Sequence, residues 1–514
     1  MSRLIAAALA VASALDAPHD AVVVGAGFAG LSAAHLLAEA GLDVVVLEGA
    51  ERVGGRVRNW DPEHSRFDAA SDEVVELGGT FVSPSHTALI NFSAAMGVAV
   101  YNTSAGVATR PRRKPRAPWL REPADGWPWW YWGVDTEHSM ASSVMHTRGG
   151  MLTFRGPKEL TQLLKGVPAF DELEQVGKLM ADTVRSLSCE SADEHWVAYD
   201  GVTFEGWIRE HVSHTEGRDV LRAMCRGMIA QEAAAVSFLS TAKSLKGCWS
   251  AGDDDQFRLR GGSQAPLLAA ASKLGPRLRL SSEVRAVREV EGGGYEVQTA
   301  GSDKLRASHV VLTGSPAALL GVRPPLGAND AQLLQRMPMG ESAKLFFFYP
   351  TAWWRGAGKS ANILASDGTP YSACMDHSAY TSSHGSAALM CWIEGSTNLR
   401  YFGMENRTAA REEVLAFLEA SLGDKRVRTY TSSAVLNWSD DAFARGAYTG
   451  YFAPGVQSQP AFWEAYARSE KARGLFVAGS DYYTGLGNGY MDGAVRSGEA
   501  AAREIVKRVQ GAPP

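Results

Sequence analysis

A glycine-rich turn near the N-terminus constrains the fold of this chain more than any other feature. The segment AVVVGAGFAGLSAAHLLAEAGLDVVVLE, residues 21–48, reads as strand, tight turn, helix and second strand. Gly25, Gly27 and Gly30 satisfy the pattern G-x-G-x-x-G. The first glycine makes the turn, the second lets the backbone approach a pyrophosphate, and the third lets helix and strand pack closely. The segment therefore predicts a dinucleotide-binding βαβ unit in a parallel sheet.

An acidic residue closes this unit. Glu48 follows the second apolar strand directly, where a carboxylate can accept a hydrogen bond from a ribose 2′-hydroxyl. An acid at this place disfavours NADP because it would repel the 2′-phosphate. FAD and NAD remain as alternatives on this motif alone.

Two further glycine pairs follow the unit. EGAERVGGRVRNW contains Gly54, Gly55 and Arg56, a second glycine turn with a cation that could meet the same pyrophosphate. VELGGTFVSP contains Gly78 and Gly79, where backbone could run against a flat ring. These pairs favour FAD over NAD.

At this point the sequence resembles the flavin-containing amine oxidase family, which includes monoamine, polyamine and L-amino-acid oxidases. The resemblance covers nearly the whole chain after about Ala17. FRLRGGSQAPLLAAASKLGPRLRLSSEVRAV is similar to the middle flavin segment of the family, and VLNWSDDAFARGAYTGYFAPG and GLFVAGSDYYTGLGNGYMDGAVRSGEAAAREI are similar to its two C-terminal segments. The resemblance implies FAD as cofactor. It also implies an α/β fold, with an FAD-binding Rossmann-like domain of the glutathione-reductase type interleaved with an α+β substrate domain.

The order of the motifs predicts discontinuous domains, and 514 residues are too many for one compact core. Strand patterns typical of the nucleotide sheet occur in three separate blocks, and a mostly helical stretch and a second set of strands lie between them. The predicted FAD-binding domain comprises 18–93, 250–318 and 440–514, and the predicted substrate domain comprises 94–249 and 319–439.

The resemblance extends the set of cofactor residues into the later segments. Val284 would contact the adenine, and Trp438 would pack behind the flavin. Asp481 stands where many members of the family have Glu. The predicted cofactor-binding residues are Gly25, Gly27, Gly30, Glu48, Gly55, Arg56, Gly78, Gly79, Val284, Trp438, Gly479, Asp481, Tyr490 and Met491.

Three residues are predicted to be catalytic. Lys344 lies in the apolar run SAKLFFFYP, where a buried cation without a role would cost several kcal/mol, and it matches the family's lysine that holds a water near flavin N5. Tyr448 and Tyr490 match the aromatic pair that stands on either side of the amine, and two electron-rich ring faces suit an amine nitrogen. Ala447 stands where animal monoamine oxidases carry the cysteine that attaches the flavin. The resemblance therefore implies non-covalent FAD.

The expected function is oxidation of an amine to an imine, with O2 reduced to H2O2. L-Amino-acid oxidase is an alternative, but LGGTFVSPSHTAL lacks the arginine with which those enzymes hold a carboxylate. Desaturase or porphyrinogen oxidase chemistry, and a flavoprotein without turnover, are further alternatives that have less need of the lysine and the tyrosine pair. The loop YYTGLGNGY departs from the monoamine oxidase pattern, so the amine and the oligomeric state stay open.

Composition excludes some partners. A formal net charge of −5 gives nucleic acid no electrostatic reason to bind. Five cysteines are few and odd in number, and none form C-x-x-C pairs; this pattern predicts neither a disulfide framework nor a metal site. Cys225, on a helical pattern, is expected to pack as a small hydrophobe.

Two segments carry expectations about location and partners. Residues 1–17, MSRLIAAALAVASALDA, combine one basic residue, a short apolar run and small residues, which favours a cleaved signal peptide and secretion over a cytoplasmic location with an N-terminal extension. That run is too short to cross a membrane, so no transmembrane anchor is expected. Residues 110–133 are rich in Pro and Trp, and we interpret them as a surface loop, a lid or a docking patch.

Overall fold

The computed structural model describes residues 18–60, 74–102, 141–189, 194–246, 248, 257–366, 368–378 and 387–511. The predicted signal peptide, 1–17, and the Trp-rich segment, 110–133, lie outside these residues. Both expectations therefore stay predictions.

The described chain contains both strands and helices, with six consecutive helices between Gly156 and Lys246. The strands are β1 His19–Val24, β2 Val44–Leu47, β3 Val100–Asn102, β4 Ser142–Thr147, β5 Gly150–Phe154, β6 Phe257–Leu259, β7 Leu278–Arg279, β8 Val284–Glu289, β9 Tyr295–Thr299, β10 Lys304–Leu312, β11 Ser342–Tyr349, β12 Lys359–Leu364, β13 Ala373–Asp376, β14 Ala387–Glu394, β15 Ser432–Asn437, β16 Glu470–Ala472 and β17 Leu475–Val477. The helices are α1 Phe28–Glu39, α2 Thr87–Ala95, α3 Gly156–Leu164, α4 Pro168–Ser186, α5 Glu194–Asp200, α6 Phe204–His211, α7 Thr215–Ile229, α8 Phe238–Lys246, α9 Ala265–Leu274, α10 Pro316–Val322, α11 Ala328–Gln335, α12 Trp353–Gly356, α13 Ser396–Gly403, α14 Arg407–Leu422, α15 Pro460–Ala467 and α16 Met491–Gln510.

The first sheet is the predicted nucleotide-binding sheet. Its strand order is β16-β17-β10-β1-β2-β7, with β8 and β9 joined beside β10. β1 pairs in parallel with both β2 and β10, and β10 pairs in parallel with β17. The valine runs of β1 and β2 form this sheet because both of its faces are covered and a strand inside it needs no polar face. In such a sheet ligands lie at the carboxyl ends of the strands.

The helix after the glycine turn is fixed against the last helix of the chain. α1 and α16 pack closely because Gly498 of α16 faces the Ala29 carbonyl oxygen, which a Cβ at that position would overlap. Ser32 of α1 also donates a hydrogen bond to the Val495 carbonyl of α16. The two ends of the chain therefore build one side of the nucleotide-binding unit together.

The second sheet has seven strands in the order β15-β11-β14-β13-β12-β4-β5. Leu345 and Phe347 of β11 enter a core with α14, whereas Phe346 and Phe348 enter a separate apolar cluster on the opposite face. A third core lies among the helices between α3 and α8. The predicted helical stretch is thus confirmed by α4 and α7, and the predicted second set of strands is confirmed by β11 and β14.

The predicted α/β fold is confirmed, and the domain boundaries stay predictions. The first sheet takes its strands from three stretches that are far apart in sequence, as expected from the motif order. One small pairing crosses the predicted boundaries, since β3, within 94–249, pairs with β6, within 250–318.

The prediction of no disulfide framework is wrong. Cys189 is bonded to Cys248, 59 residues later, and Cys374 is bonded to Cys391 on the neighbouring antiparallel strand. No sequence spacing identifies such pairs, because the fold alone brings their Cα atoms within reach. Cys225 is the free thiol among the described residues and is fully buried, as expected of a packed hydrophobe.

Candidate active site

The site begins at the glycine turn between β1 and α1. Gly25 has a φ of +106°, a left-handed conformation that glycine adopts at little cost. A Cβ on Gly30 would overlap the Gly25 carbonyl oxygen, so the turn and the helix could not pack this closely with any other residue there. A Cβ on Gly27, in contrast, would meet nothing nearer than the Gly54 carbonyl oxygen at 3.8 Å. Gly27 therefore leaves an open surface at the N-terminus of α1, where a phosphate binds well.

The second glycine turn lies against the first. A Cβ on Gly55 would come within 3.8 Å of the Gly27 Cα, and the Gly54 amide donates to the Ala26 carbonyl at 2.9 Å. Gly54 and Gly55 have φ values of +125° and +56°. The result is a groove walled by backbone, and this fits a pyrophosphate because amide groups can approach it without side chains in the way.

Glu48 lies at the carboxyl end of β2, beside the glycine turn. Its carboxylate accepts hydrogen bonds from the Ala26 amide at 2.6 Å and the Ala50 amide at 2.9 Å. Burial raises its pKa, and the two amides together with Arg52 partly offset this. Its place matches the predicted ribose contact, and its present contacts stiffen the turn.

Arg56 joins the glycine turns to the C-terminal flavin segments. Its guanidinium donates to the Tyr448 carbonyl at 2.8 Å and forms a bidentate ion pair with Asp481. Although burial opposes ionisation, Arg56 holds the pKa of Asp481 below its ordinary value, and Thr449 and the Gly450 amide also donate to this carboxylate. The role that the structure gives Asp481 is therefore to bind Arg56. The pyrophosphate contact of Arg56 stays a prediction.

Gly78 and Gly79 lie between the second glycine turn and the C-terminal flavin segments. A Cβ on Gly78 would overlap the Arg56 carbonyl oxygen and lie 2.9 Å from the Trp438 ring, and a Cβ on Gly79 would lie 3.3 Å from the Met491 sulfur. Trp438 donates its indole N–H to the Leu77 carbonyl at 3.2 Å. The segment thus packs between Trp438 and Met491, and because Gly78 and Gly79 have no side chains, a flat ring could lie against its backbone.

The remaining predicted cofactor residues lie on the same sheet. Val284 is buried at the start of β8, packed in one cluster with Val45 and Leu47. Gly479 follows β17 with a φ of +152°, and its amide donates to the Ser497 hydroxyl at 2.8 Å. Both positions lie on elements of the first sheet or directly after them, as expected for a ligand bound across its strand ends.

Lys344 reaches across from the second sheet to the glycine pair. Its ammonium donates to the Gly78 carbonyl at 2.6 Å, to the Thr80 hydroxyl at 2.7 Å and to the Glu76 carbonyl at 3.3 Å. The side chain is buried, and these oxygens compensate for its lost hydration. The cation is thereby held directly behind the backbone that would face the ring.

The two tyrosines come from segments that meet at the same place. The peptide bond between Ala447 and Tyr448 is cis, and the Tyr448 ring packs beside Trp438 and Ala447. Tyr490 directly precedes α16, and its ring lies 5.1 Å from the ring of the buried His86. Tyr448 is tied to Arg56 and Tyr490 is the chain neighbour of Met491, so both belong to the group that surrounds Gly78 and Gly79.

Sequence reasoning missed a set of buried polar and ionisable groups around Lys344. Glu76 accepts from the Ser263 amide and hydroxyl, and burial raises its pKa while Arg258, Ser263 and Lys344 partly offset this. Arg258 donates to His377, whose pKa burial and the nearby cations hold well below the ordinary value. The available signal is the one that identified Lys344, an ionisable residue inside an apolar stretch. The missed residues are Glu76, Thr80, Arg258, His377 and Glu394.

Comparison with known proteins identifies the family of this chain. The model of the flavin containing amine oxidoreductase family matches residues 28–506. The chain belongs to this family. Its cofactor is therefore FAD, its reaction is the oxidation of amines, and the residues around both glycine turns fit the cofactor as described.

Relatives of similar length occur in bacteria and animals. The chain is 28% identical to the Mycobacterium tuberculosis protein named flavin-containing monoamine oxidase AofH, over 95% of this chain and 96% of that one. It is 24% identical to the flavin-containing amine oxidase B of Sus scrofa, over 95% of this chain and 86% of that one.

Solved structures show the same fold. Cyclohexylamine oxidase from Brevibacterium oxydans superposes with a TM-score of 0.78 at 22% identity, covering 96% of this chain and all of that one. Putrescine oxidase bound to putrescine superposes with a TM-score of 0.75 at 23% identity, covering 95% of this chain and 99% of that one.

Two further observations concern covalent attachment of the flavin and binding to membranes or metal ions. All five cysteines are described; four are paired, and Cys225 lies in the helical core, so no cysteine takes the place of the attachment cysteine that Ala447 lacks, in agreement with non-covalent FAD. Among the described residues, no helix has the length and apolarity to cross a membrane, and no group of side chains could hold a metal ion.

Proposed function

We propose that this enzyme oxidises small, mainly apolar amines that carry no carboxylate, with O2 as electron acceptor and H2O2 as product. One observation carries the proposal. The cations around the tyrosines and Lys344 already have acceptors within the protein: Arg56 has Asp481, Arg258 has His377, and Lys344 has the Gly78 carbonyl. Among the described residues of this site, a substrate carboxylate would meet no cation that lacks an acceptor, and its burial without one is costly.

The surroundings of Lys344 support an apolar substrate body. Phe346 and Phe348 lie on the same face of β11 as Lys344, and they belong to a cluster with Leu77, Met390 and Trp392. Side chains of this kind bind hydrocarbon and aromatic groups through burial of apolar area.

Different residues of the chain bind the cofactor, orient the amine and hold a proton donor. FAD, when bound, would supply the acceptor for the hydrogen on the carbon next to the amine nitrogen. The backbone at Gly27 and Gly55 binds the pyrophosphate, and Arg56 fixes the segment of Tyr448 relative to that turn. The tyrosine faces attract and orient the amine nitrogen, and Lys344 keeps a proton donor next to Gly78.

Matched substrates test the proposal. Release of H2O2 from 2-phenylethylamine is compared with that from L-phenylalanine, and tyramine with L-tyrosine, since each pair differs by one carboxylate. We expect each amine to exceed its amino acid in kcat/KM by about a hundredfold or more, because an unpaired carboxylate costs several kcal/mol in an apolar site. Faster oxidation of the amino acids would identify an L-amino-acid oxidase instead.

We also propose that the protein is secreted after cleavage of a signal peptide within residues 1–17. Its two disulfides support this, because such bonds persist in oxidising compartments and are rare in the cytosol. N-terminal sequencing of the exported protein is expected to show a start between residues 13 and 18. The double variant Leu9→Arg, Val11→Arg, which interrupts the apolar run, should abolish export; retention of the unaltered protein in the cytosol with Met1 in place would contradict the proposal.

A further inference from the structure

β14 ends in a buried acid that faces the tyrosine site. Because side chains alternate along a strand, Trp392 and Glu394 lie on one face of β14, and Cys391 and Ile393 enter the core on the other. Glu394 is fully buried and pairs in register with Ser342, two residues before Lys344 on β11. The acid therefore projects to the same side of the sheet as the lysine.

The carboxyl of Glu394 contacts one of the two tyrosines directly. Its Oε1 accepts a hydrogen bond from the Tyr448 hydroxyl. Its Oε2 makes no hydrogen bond of normal geometry with the described residues, although the Ser372 hydroxyl lies close enough to lower the pKa of the carboxyl. The hydroxyl of Tyr448 is thus anchored on the second sheet, whereas its backbone is anchored on Arg56.

The protonation state of Glu394 decides between two roles. Burial raises its pKa well above the ordinary value, and Ser372, Arg226 and Lys344 offset only part of this. A carboxyl that stays protonated is a poor counter-ion for a substrate ammonium, but it can still accept a hydrogen bond from a phenol. This favours a role through Tyr448 over direct pairing with the amine.

We propose that Glu394 is a positioning residue that acts through Tyr448. The carboxyl holds the hydroxyl end of the ring, while Trp438 and Ala447 support its body, so that the ring face stays turned toward the amine. The inference rests on the amine oxidation proposed above. It adds a residue that neither the glycine motifs nor the aromatic pair include.

A double-mutant cycle tests the coupling. The rate of flavin reduction is measured under anaerobic conditions with 2-phenylethylamine for the wild type, Glu394→Leu, Tyr448→Phe and the double variant. We expect Glu394→Leu to slow reduction about tenfold in the wild-type background and less than about twofold in the Tyr448→Phe background, because the lost hydrogen bond is then already absent. An equal slowing in both backgrounds would overturn the proposal.

The conservative variant separates position from charge and from folding. Glu394→Gln keeps an uncharged acceptor and should stay within about threefold of the wild type; a loss as large as that of Glu394→Leu would contradict the proposal. Glu413→Leu, on the outer face of α14, serves as the control that should leave the rate unchanged. Bound FAD and the unfolding temperature show whether each variant is folded, and Glu394→Ala replaces Glu394→Leu if the latter does not fold.

A structural readout needs no turnover. Crystal structures of the wild type and Glu394→Leu should show the Tyr448 ring rotated, or in more than one orientation, in the variant only. A ring that stays in place would refute the positioning role even if amines are oxidised normally. Absence of amine oxidation by the wild type would instead refute the proposed function and leave the ring orientation as a separate result.

Discussion

The two halves of the site are built by different means. Around Gly25, Gly27 and Gly55 the surface is backbone, and its shape follows from residues that have no side chain. Around Lys344 and Tyr448 the surface consists of side chains from strands far apart in sequence, held by buried polar contacts. In the first half an added side chain would clash with the backbone or project into the binding surface, and in the second half the loss of one partner leaves a buried polar group unpaired.

This difference explains what each half can do. A backbone groove can bind the same phosphate group throughout a fold class, because its donors are main-chain amides, which do not change when the side chains change. Side-chain pairs can be exchanged one at a time, and they decide which amine is bound and how it is oriented. Four comparisons of variants test this contrast.

The largest effect is expected where the halves are joined. Asp481→Asn leaves the half-buried Arg56 without its ionic partner, and breaking a pair whose carboxylate is fully buried costs about 3 to 5 kcal/mol in the free energy of unfolding. Asp424→Asn, in an exposed pair with Arg426, is the control and should cost less than about 1 kcal/mol. Urea denaturation measures both. Equal effects would show that the buried pair does not hold the halves together.

The next effect separates two glycines of one motif. Gly30→Ala introduces an overlap with the Gly25 carbonyl and should destabilise even the FAD-free protein by about 1 to 3 kcal/mol. Gly27→Ala meets nothing close in the protein, so the FAD-free protein should keep its stability while FAD binds more weakly. Thermal unfolding with and without FAD distinguishes the two. A stability loss from Gly27→Ala alone would mean that the groove is a packing feature and not a binding surface.

A smaller effect is expected at the lysine. Lys344→Met should keep bound FAD and slow flavin reduction or reoxidation about tenfold or more, which corresponds to about 1.4 kcal/mol in the barrier. Lys304→Met, at an exposed ion pair on β10, should change neither step. Stopped-flow absorbance follows both half-reactions. Wild-type rates in Lys344→Met would remove the lysine from the catalytic group.

The smallest effect is a pH dependence of stability in the side-chain half. Burial and the cations near it lower the pKa of His377 well below its ordinary value of 6.5. Below that pH the unfolded chain takes up a proton that the folded chain refuses, so stability is lost as the pH falls, by about 1 kcal/mol over the first pH unit below 6.5. His377→Gln should remove this loss, and His195→Gln, at a partly exposed position, should not. Denaturation between pH 7 and pH 5 makes the comparison, and identical slopes in all three proteins would contradict it.

The same contrast explains how far the sequence could be used. Gly25, Gly27 and Gly30 lie within six residues of each other, and their spacing alone predicts strand, turn and helix. Lys344 could be singled out because a cation interrupts an apolar strand. The contacts of Lys344 with Gly78 and Thr80 could not be predicted, because nothing in either segment indicates that the two segments are neighbours in the fold.

Pairs of this kind were the main source of missed features. Glu394 ends an apolar strand as conspicuously as Lys344 interrupts one, yet its partner Tyr448 lies 54 residues later. The two disulfides were missed for the same reason, because Cys374 and Cys391 become neighbours only through the pairing of β13 with β14. Local patterns predict elements and backbone sites, and tertiary structure is needed to predict side-chain partners.

The central claim is that the backbone groove and the side-chain group together oxidise an amine with FAD. The most direct measurement is the visible spectrum of the purified protein, under anaerobic conditions, after addition of 2-phenylethylamine and then of O2. We expect the flavin absorbance to bleach with the amine and to return with O2, with one H2O2 formed per amine oxidised. Protein that binds no FAD, or a flavin spectrum that 2-phenylethylamine, tyramine and cyclohexylamine all leave unchanged, would contradict it.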